Sequence, residues 1–76
     1  MIKFIGHANI PGTVLKYYVF GNRKKGYWVK ICSSEETSEE FFSRNLSETL
    51  ALADQLKRCT VFPFNLSEII EDMKTD

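Results

Sequence analysis

Two turns that each need a glycine divide the first 32 residues into three segments of alternating polarity. Pro11-Gly12 suits the centre of a type II turn, because proline fixes the first φ and glycine accepts the positive φ that follows. This turn sets the register of a hairpin in which Phe4 faces Val19. One side of the hairpin is then predicted to carry Ile2, Phe4, Ala8, Leu15, Tyr17 and Val19.

The second turn, residues 21–26, joins the second segment to the third. Alternation fixes its register, because pairing Val19 with Val29 keeps the apolar residues of both segments on one side. A short loop that ends in Gly26 with positive φ fits this pairing. The sheet is predicted to have an inner face with Phe4, Leu15, Tyr17, Val19, Val29 and Ile31, and an outer face with Lys3, Ile5, His7, Lys16, Tyr18, Phe20, Trp28 and Lys30.

A polar and acidic segment, SSEETSEE at 33–40, follows the third strand. Its composition predicts a solvated loop. Residues 40–44 contain two phenylalanines and can add a short edge strand to the sheet.

The tetrapeptide NLSE occurs twice, at 45–48 and at 65–68. Asparagine at an N-cap can accept a hydrogen bond from the amide three residues later, and glutamate at that position can reach back, so Asn-x-x-Glu is typical of a capping box. Ser47 competes with Asn45 as the cap of the first copy. The residues around the two copies are otherwise unlike, so the repeat predicts two helix starts and not a duplicated functional site.

Apolar residues recur at helical spacing after each copy, which predicts helices over about 47–58 and 66–74. At the second start, Phe64 and Ile69 are spaced for a hydrophobic staple. All 76 residues are predicted to form a single small α+β domain. An antiparallel three- to four-stranded meander sheet, over about 2–44, is followed by two C-terminal helices packed on one face.

The charges are unevenly distributed although the formal net charge is zero. Residues 1–34 contain six bases and no acid, whereas residues 35–76 contain all ten acids and four bases. This polarity fits either a partner with one sign of charge or a basic half folded against an acidic half.

No apolar run approaches the roughly 20 residues of a membrane span. The N-terminal residues also lack the apolar block of a signal peptide, so a cytoplasmic protein without membrane contact is expected. Cys32 and Cys59 have no CxxC or metal-site spacing, so no disulfide, metal or cofactor is expected.

Three segments in order, KYYVFGNRKKGYWVKI, LSETLALADQL and VFPFNLSEIIEDM, resemble a family of short uncharacterised proteins. These are domain-of-unknown-function proteins of Gram-positive, often gut-dwelling bacteria, and the resemblance covers about residues 16–73. It implies a sheet with two helices in a bacterial protein and supplies no activity.

Catalysis has little support in the sequence. His7 is the only histidine, it is placed on the open sheet face, and there is no glycine-rich phosphate loop. A non-enzymatic protein is therefore predicted.

The outer face is the feature that needs a function, because it leaves Phe20 opposite Trp28 on a side that two short helices cannot cover. Adjacent exposed aromatic residues predict a surface for an unidentified protein partner or a homodimer. A single-stranded nucleic-acid platform is an alternative, as is a small inhibitor protein encoded by a mobile element. A fourth interpretation is an aromatic cluster that only steadies the sheet. The candidate binding residues are Lys16, Tyr18, Phe20, Arg23, Lys24, Lys25, Trp28 and Lys30.

Overall fold

A computed structural model describes residues 1–74 of the chain. Its elements are strands β1 (Ile2–Ile10), β2 (Thr13–Asn22), β3 (Gly26–Cys32) and β4 (Thr37–Ser43), then helix α1 (Leu46–Arg58), a 3-10 turn (Pro63–Asn65) and helix α2 (Leu66–Lys74). The strands form one antiparallel sheet in the order β1-β2-β3-β4. The predicted α+β fold, a meander sheet followed by two C-terminal helices, is confirmed.

The hairpin between β2 and β3 has the predicted register, with Val19 opposite Val29. Gly26 closes its turn with a φ of +97°. The side-chain oxygen of Asn22 accepts a hydrogen bond from the amide of Lys25 at 2.8 Å, which holds the three residues between the strands.

The hairpin between β1 and β2 departs from the prediction at a bulge between Phe4 and Gly6. From the turn to Gly6 the register is as predicted, but Phe4 lies opposite Tyr18, one residue before its predicted partner. Gly6 supplies a φ of +151°, and the extra residue, Ile5, packs against the core. The predicted faces are therefore wrong at the start of β1: Ile2 and Phe4 lie on the outer face, and Lys3 and Ile5 on the inner one.

The acidic segment forms more regular structure than its composition predicts. The prediction of a solvated loop over 33–40 is wrong for residues 37–40, because these belong to β4, which pairs with β3 along its length. An edge strand keeps one side in water, so acidic side chains are tolerated there. Pairing also places Glu39 opposite Lys30, a favourable cross-strand pair.

The inner face of the sheet is buried beneath the helices. Helix α1 packs against β1, β2 and β3, and α2 packs against β4. The sheet contributes Leu15, Tyr17, Val19, Val29 and Ile31, all fully buried, and the helices contribute Leu52, Ala53, Leu56, Leu66 and Ile70. Alternation along β2 and β3 therefore sends every second side chain into one core and leaves the others on the outer face.

The two NLSE segments start their helices in different ways. Asn45 is the N-cap of α1, and its side-chain oxygen accepts a hydrogen bond from the amide of Glu48 at 3.0 Å. Helix α2 instead continues the 3-10 turn that begins at Pro63, where the amide of Asn65 donates to the carbonyl three residues earlier at 3.1 Å. The predicted capping box at Asn65 is therefore wrong. The staple is wrong too, because Phe64 is 69% exposed.

Asn45→Ala is expected to lower the free energy of unfolding by about 1 kcal/mol, because the amide of Glu48 loses its partner. Asn65→Ala, the same change in the other NLSE, is the matched control and should cost a few tenths of a kcal/mol at most, as an ordinary partly exposed substitution does. Urea denaturation of both variants measures the difference. Equal losses would show that both asparagines cap helices.

Tyr17 carries a polar group into the core beneath the sheet. Its ring is fully buried, and its hydroxyl donates a hydrogen bond to the carbonyl of Val61 at 2.9 Å. Burial raises the pKa of Tyr17 above its ordinary value, and the nearby thiol of Cys59 raises it further. The neutral phenol is thus the form that the folded protein accommodates.

Because folding raises the pKa of Tyr17, its contribution to stability is complete below the unfolded-state pKa of about 10 and is lost as pH rises towards the folded-state value. The parent protein should therefore become less stable above about pH 10. Tyr17→Phe should lose about 1 kcal/mol at neutral pH with the hydrogen bond, and the gap from the parent should narrow at alkaline pH. Urea midpoints between pH 7 and 11 test this, and a constant gap would contradict it.

Candidate binding face

Cross-strand pairing places one apolar residue from each strand in a line across the outer face. Phe20 lies between Ile2 and Trp28, and Trp28 lies opposite Phe41 on the edge strand. We call Ile2, Phe20, Trp28 and Phe41 the apolar row. It crosses the whole sheet, from β1 to β4.

The rings of the apolar row contact each other. Phe20 and Trp28 are stacked, with ring centroids 5.8 Å apart and planes inclined by 13°. Trp28 meets Phe41 edge to face, at a centroid distance of 5.2 Å. These three rings are half-buried, whereas Ile2, at the β1 end of the row, is 80% exposed. Each ring is therefore partly covered by a neighbouring ring and partly exposed to solvent.

Gly26 joins the apolar row to the turn between β2 and β3. A β-carbon on Gly26 would overlap the ring of Phe41 and lie 3.3 Å from the side chain of Arg44, so both side chains rest on the bare glycine. Arg44 also donates a hydrogen bond to the carbonyl of Lys24 at 3.1 Å. The glycine thus brings an aromatic ring and a guanidinium group to the same corner of the sheet.

A basic turn, Arg23, Lys24 and Lys25, extends beyond this corner. All three residues are exposed, and they directly follow β2, beginning three positions after Phe20. With Arg44 they form a cationic border along one end of the outer face. Residues 21–34, which include the turn and β3, contain no acid.

The next line of paired residues is less apolar. Phe4 and Tyr18 have ring centroids 5.3 Å apart, and Phe4 is 51% exposed. The ammonium group of Lys30 lies 6.0 Å from the centre of the Tyr18 ring, and Lys30 pairs with Glu39 on β4. Beyond this line, His7 faces Lys16. The outer face therefore changes from apolar to polar with distance from the basic turn.

The structure brings most of the predicted site residues together. Lys16, Tyr18, Phe20, Trp28 and Lys30 share the outer face, and Arg23, Lys24 and Lys25 lie in the turn at its end. His7, the only histidine of the sequence, is exposed on the same face.

Sequence reasoning missed four members of this face: Ile2, Phe4, Glu39 and Phe41. The bulge in β1 explains the omission of Ile2 and Phe4. Glu39 and Phe41 were omitted because residues 33–40 were predicted to be a loop and the edge strand after them was given no register. Gly6 inside a strand was an available signal for the bulge in β1, because an isolated glycine in a strand often marks one.

Residues 1–74 contain no group of three or more His, Cys, Asp or Glu side chains placed to hold a metal ion. Cys32 and Cys59 are free thiols. Over the same residues, neither helix has the length and apolar character needed to cross a bilayer.

Comparisons of the chain with protein-family models, curated proteins and solved structures find no match. The resemblance to short uncharacterised proteins of Gram-positive bacteria therefore stays a prediction, and the geometry of the outer face is the basis for assigning a function.

Proposed function

We propose that this chain is a small non-enzymatic protein-binding domain whose outer face is covered by another polypeptide. The observation that supports this most is the apolar row. It spans every strand of the sheet and ends on β1 at Ile2, which is 80% exposed, and Phe4 in the neighbouring line of the outer face is 51% exposed. Contiguous apolar surface of this kind is typical of interaction sites on soluble proteins.

The size of the outer face supports a macromolecular partner. Four strands of seven to ten residues form the sheet, and at about 4.8 Å between strands and about 3.3 Å per residue the face covers roughly 450–650 Å² in plan. This is the scale of one side of a small protein interface, since each partner contributes roughly 800 Å² to a standard one.

Two observations favour other interpretations. The basic turn beside aromatic rings suits single-stranded nucleic acid, in which bases stack on rings and phosphates meet cations. Lys30 over the Tyr18 ring, and the ring pairs themselves, suit a cluster that only stabilises the sheet. A homodimer and a mobile-element inhibitor are both forms of protein binding.

We also propose a cytoplasmic location in a bacterium, which agrees with two free cysteines on a small chain.

Selection against a random display library of peptides tests the binding proposal without a known partner. Peptides selected on the parent should bind Phe20→Ala/Trp28→Ala at least tenfold more weakly. The control, Ser47→Ala/Gln55→Ala, alters two exposed residues of α1 and should bind like the parent.

Circular dichroism establishes that both double variants are folded before binding is compared. Selected peptides that bind the Phe20→Ala/Trp28→Ala variant as tightly as the parent would contradict the proposal. Sedimentation at increasing concentration tests the homodimer separately. A parent protein that self-associates through this face should become monomeric in the Phe20→Ala/Trp28→Ala variant.

A further inference from the structure

The outer face has an excess of positive charge beside its apolar row. It carries two lysines, Lys16 and Lys30, and one acid, Glu39. The basic turn and Arg44 add four positive charges at the end where the apolar row lies. Glu39 already lies opposite Lys30, so the positive charge around the row is mostly unbalanced on the face itself.

A second copy of the chain is a poor occupant for such a surface. Two outer faces packed together would each contribute the same lysines and the same basic turn, and only Glu39 of each copy could offset them. Like charges brought together at an interface suppress association.

Single-stranded nucleic acid would match the positive charge of the outer face but not the arrangement of its aromatic rings. A base stacks on the open face of an aromatic ring. Here the planes of Phe20 and Trp28 are nearly parallel and face each other, and Phe41 meets Trp28 at 76°, so these rings cover parts of one another's faces. Side chains of another polypeptide can pack against ring edges, because apolar contact needs no flat platform.

We infer that the partner of the outer face is an acidic polypeptide segment. Its aliphatic or aromatic side chains would pack on the apolar row, and its carboxylates would meet the basic turn and Arg44. This inference rests on the proposed protein-binding function and adds the chemistry of the partner. The unbalanced positive charge beside the apolar row is the observation that carries it.

The composition of peptides selected from a random twelve-residue display library tests the inference. Peptides recovered on the parent should be enriched in Asp and Glu together with Leu, Phe or Trp. Dye-labelled synthetic copies, followed by fluorescence anisotropy, should bind at least tenfold more weakly when salt is raised from 50 to 500 mM. In the Lys24→Gln/Lys25→Gln variant, the dissociation constants of these peptides should rise about fivefold, which corresponds to about 1 kcal/mol of binding free energy.

Arg58→Gln is the matched control, because it removes an exposed positive charge at the end of α1, away from the outer face. It should leave peptide binding unchanged. A twelve-residue oligothymidylate is measured in the same way, at the same salt concentrations.

The outcomes separate the two proposals. Neutral or basic peptides that lose binding in Phe20→Ala/Trp28→Ala would overturn the acidic partner and leave the binding face intact. Oligothymidylate that binds the parent more tightly than any selected peptide would replace the acidic segment with nucleic acid. Selected peptides that bind the parent and the Phe20→Ala/Trp28→Ala variant equally well would overturn both the acidic partner and the proposed function.

Discussion

Gly21→Ala is expected to lower the free energy of unfolding by about 3 kcal/mol or more. Gly21 has a φ of +139° and lies opposite Tyr27 near the end of the β2–β3 hairpin. A β-carbon there would overlap the carbonyl oxygen of Gly26 and lie 2.9 Å from the α-carbon of Tyr27. Both are backbone atoms of the neighbouring strand, so only a shift of that strand relieves the overlap. Against a total stability of about 4–11 kcal/mol for a chain of this length, the loss is large.

Gly12→Ala is the matched control for this substitution. Gly12 also has a positive φ, +90°, but an added β-carbon would have no neighbour within 4 Å. It should cost only the roughly 1–2 kcal/mol of an unfavourable backbone conformation. Urea denaturation followed by circular dichroism compares the two variants. Equal losses of stability would show that the positive φ alone, and not the close approach of the neighbouring strand, explains the effect of Gly21→Ala.

The parts of the fold that the sequence predicts are those determined by a few neighbouring residues. Pro11-Gly12 and Gly26 specify their turns through backbone conformation alone. Alternation then sets the register of β2 with β3, because a slip by one residue would move Val19 and Val29 from the core into water. The helices follow from apolar spacing in the same way, and α1 begins within one residue of its predicted start.

The parts that the sequence does not predict depend on residues far apart in the chain. Gly6 marks a possible bulge in β1, but the bulge changes the two faces because Ile5 packs against a core formed by distant residues, which no local pattern contains. Strand β4 is acidic, and it forms because β3 offers an open edge with Lys30 facing Glu39. The composition of the apolar row depends on both features, since they bring Ile2 and Phe41 to the outer face.

Ile31→Ala is expected to lower the free energy of unfolding by about 2–5 kcal/mol. Ile31 is fully buried opposite Tyr17 on the inner face, so truncation leaves a cavity among packed side chains. Trp28→Ala removes more atoms from the same strand, but Trp28 is only half-buried and water can fill the space it leaves. The tryptophan variant should therefore lose clearly less stability than the isoleucine variant.

The proposal that the sheet has one core face and one binding face is tested most directly by measuring unfolding and binding together. Guanidinium unfolding by circular dichroism is recorded for the parent, Ile31→Ala and Trp28→Ala, and anisotropy with a selected peptide is recorded for the parent and Trp28→Ala. We expect Ile31→Ala to be severely destabilised, and Trp28→Ala to stay folded with peptide binding weakened at least tenfold. A Trp28→Ala protein that unfolds as readily as Ile31→Ala, or that stays folded and binds the peptide as the parent does, would contradict this assignment of the two faces.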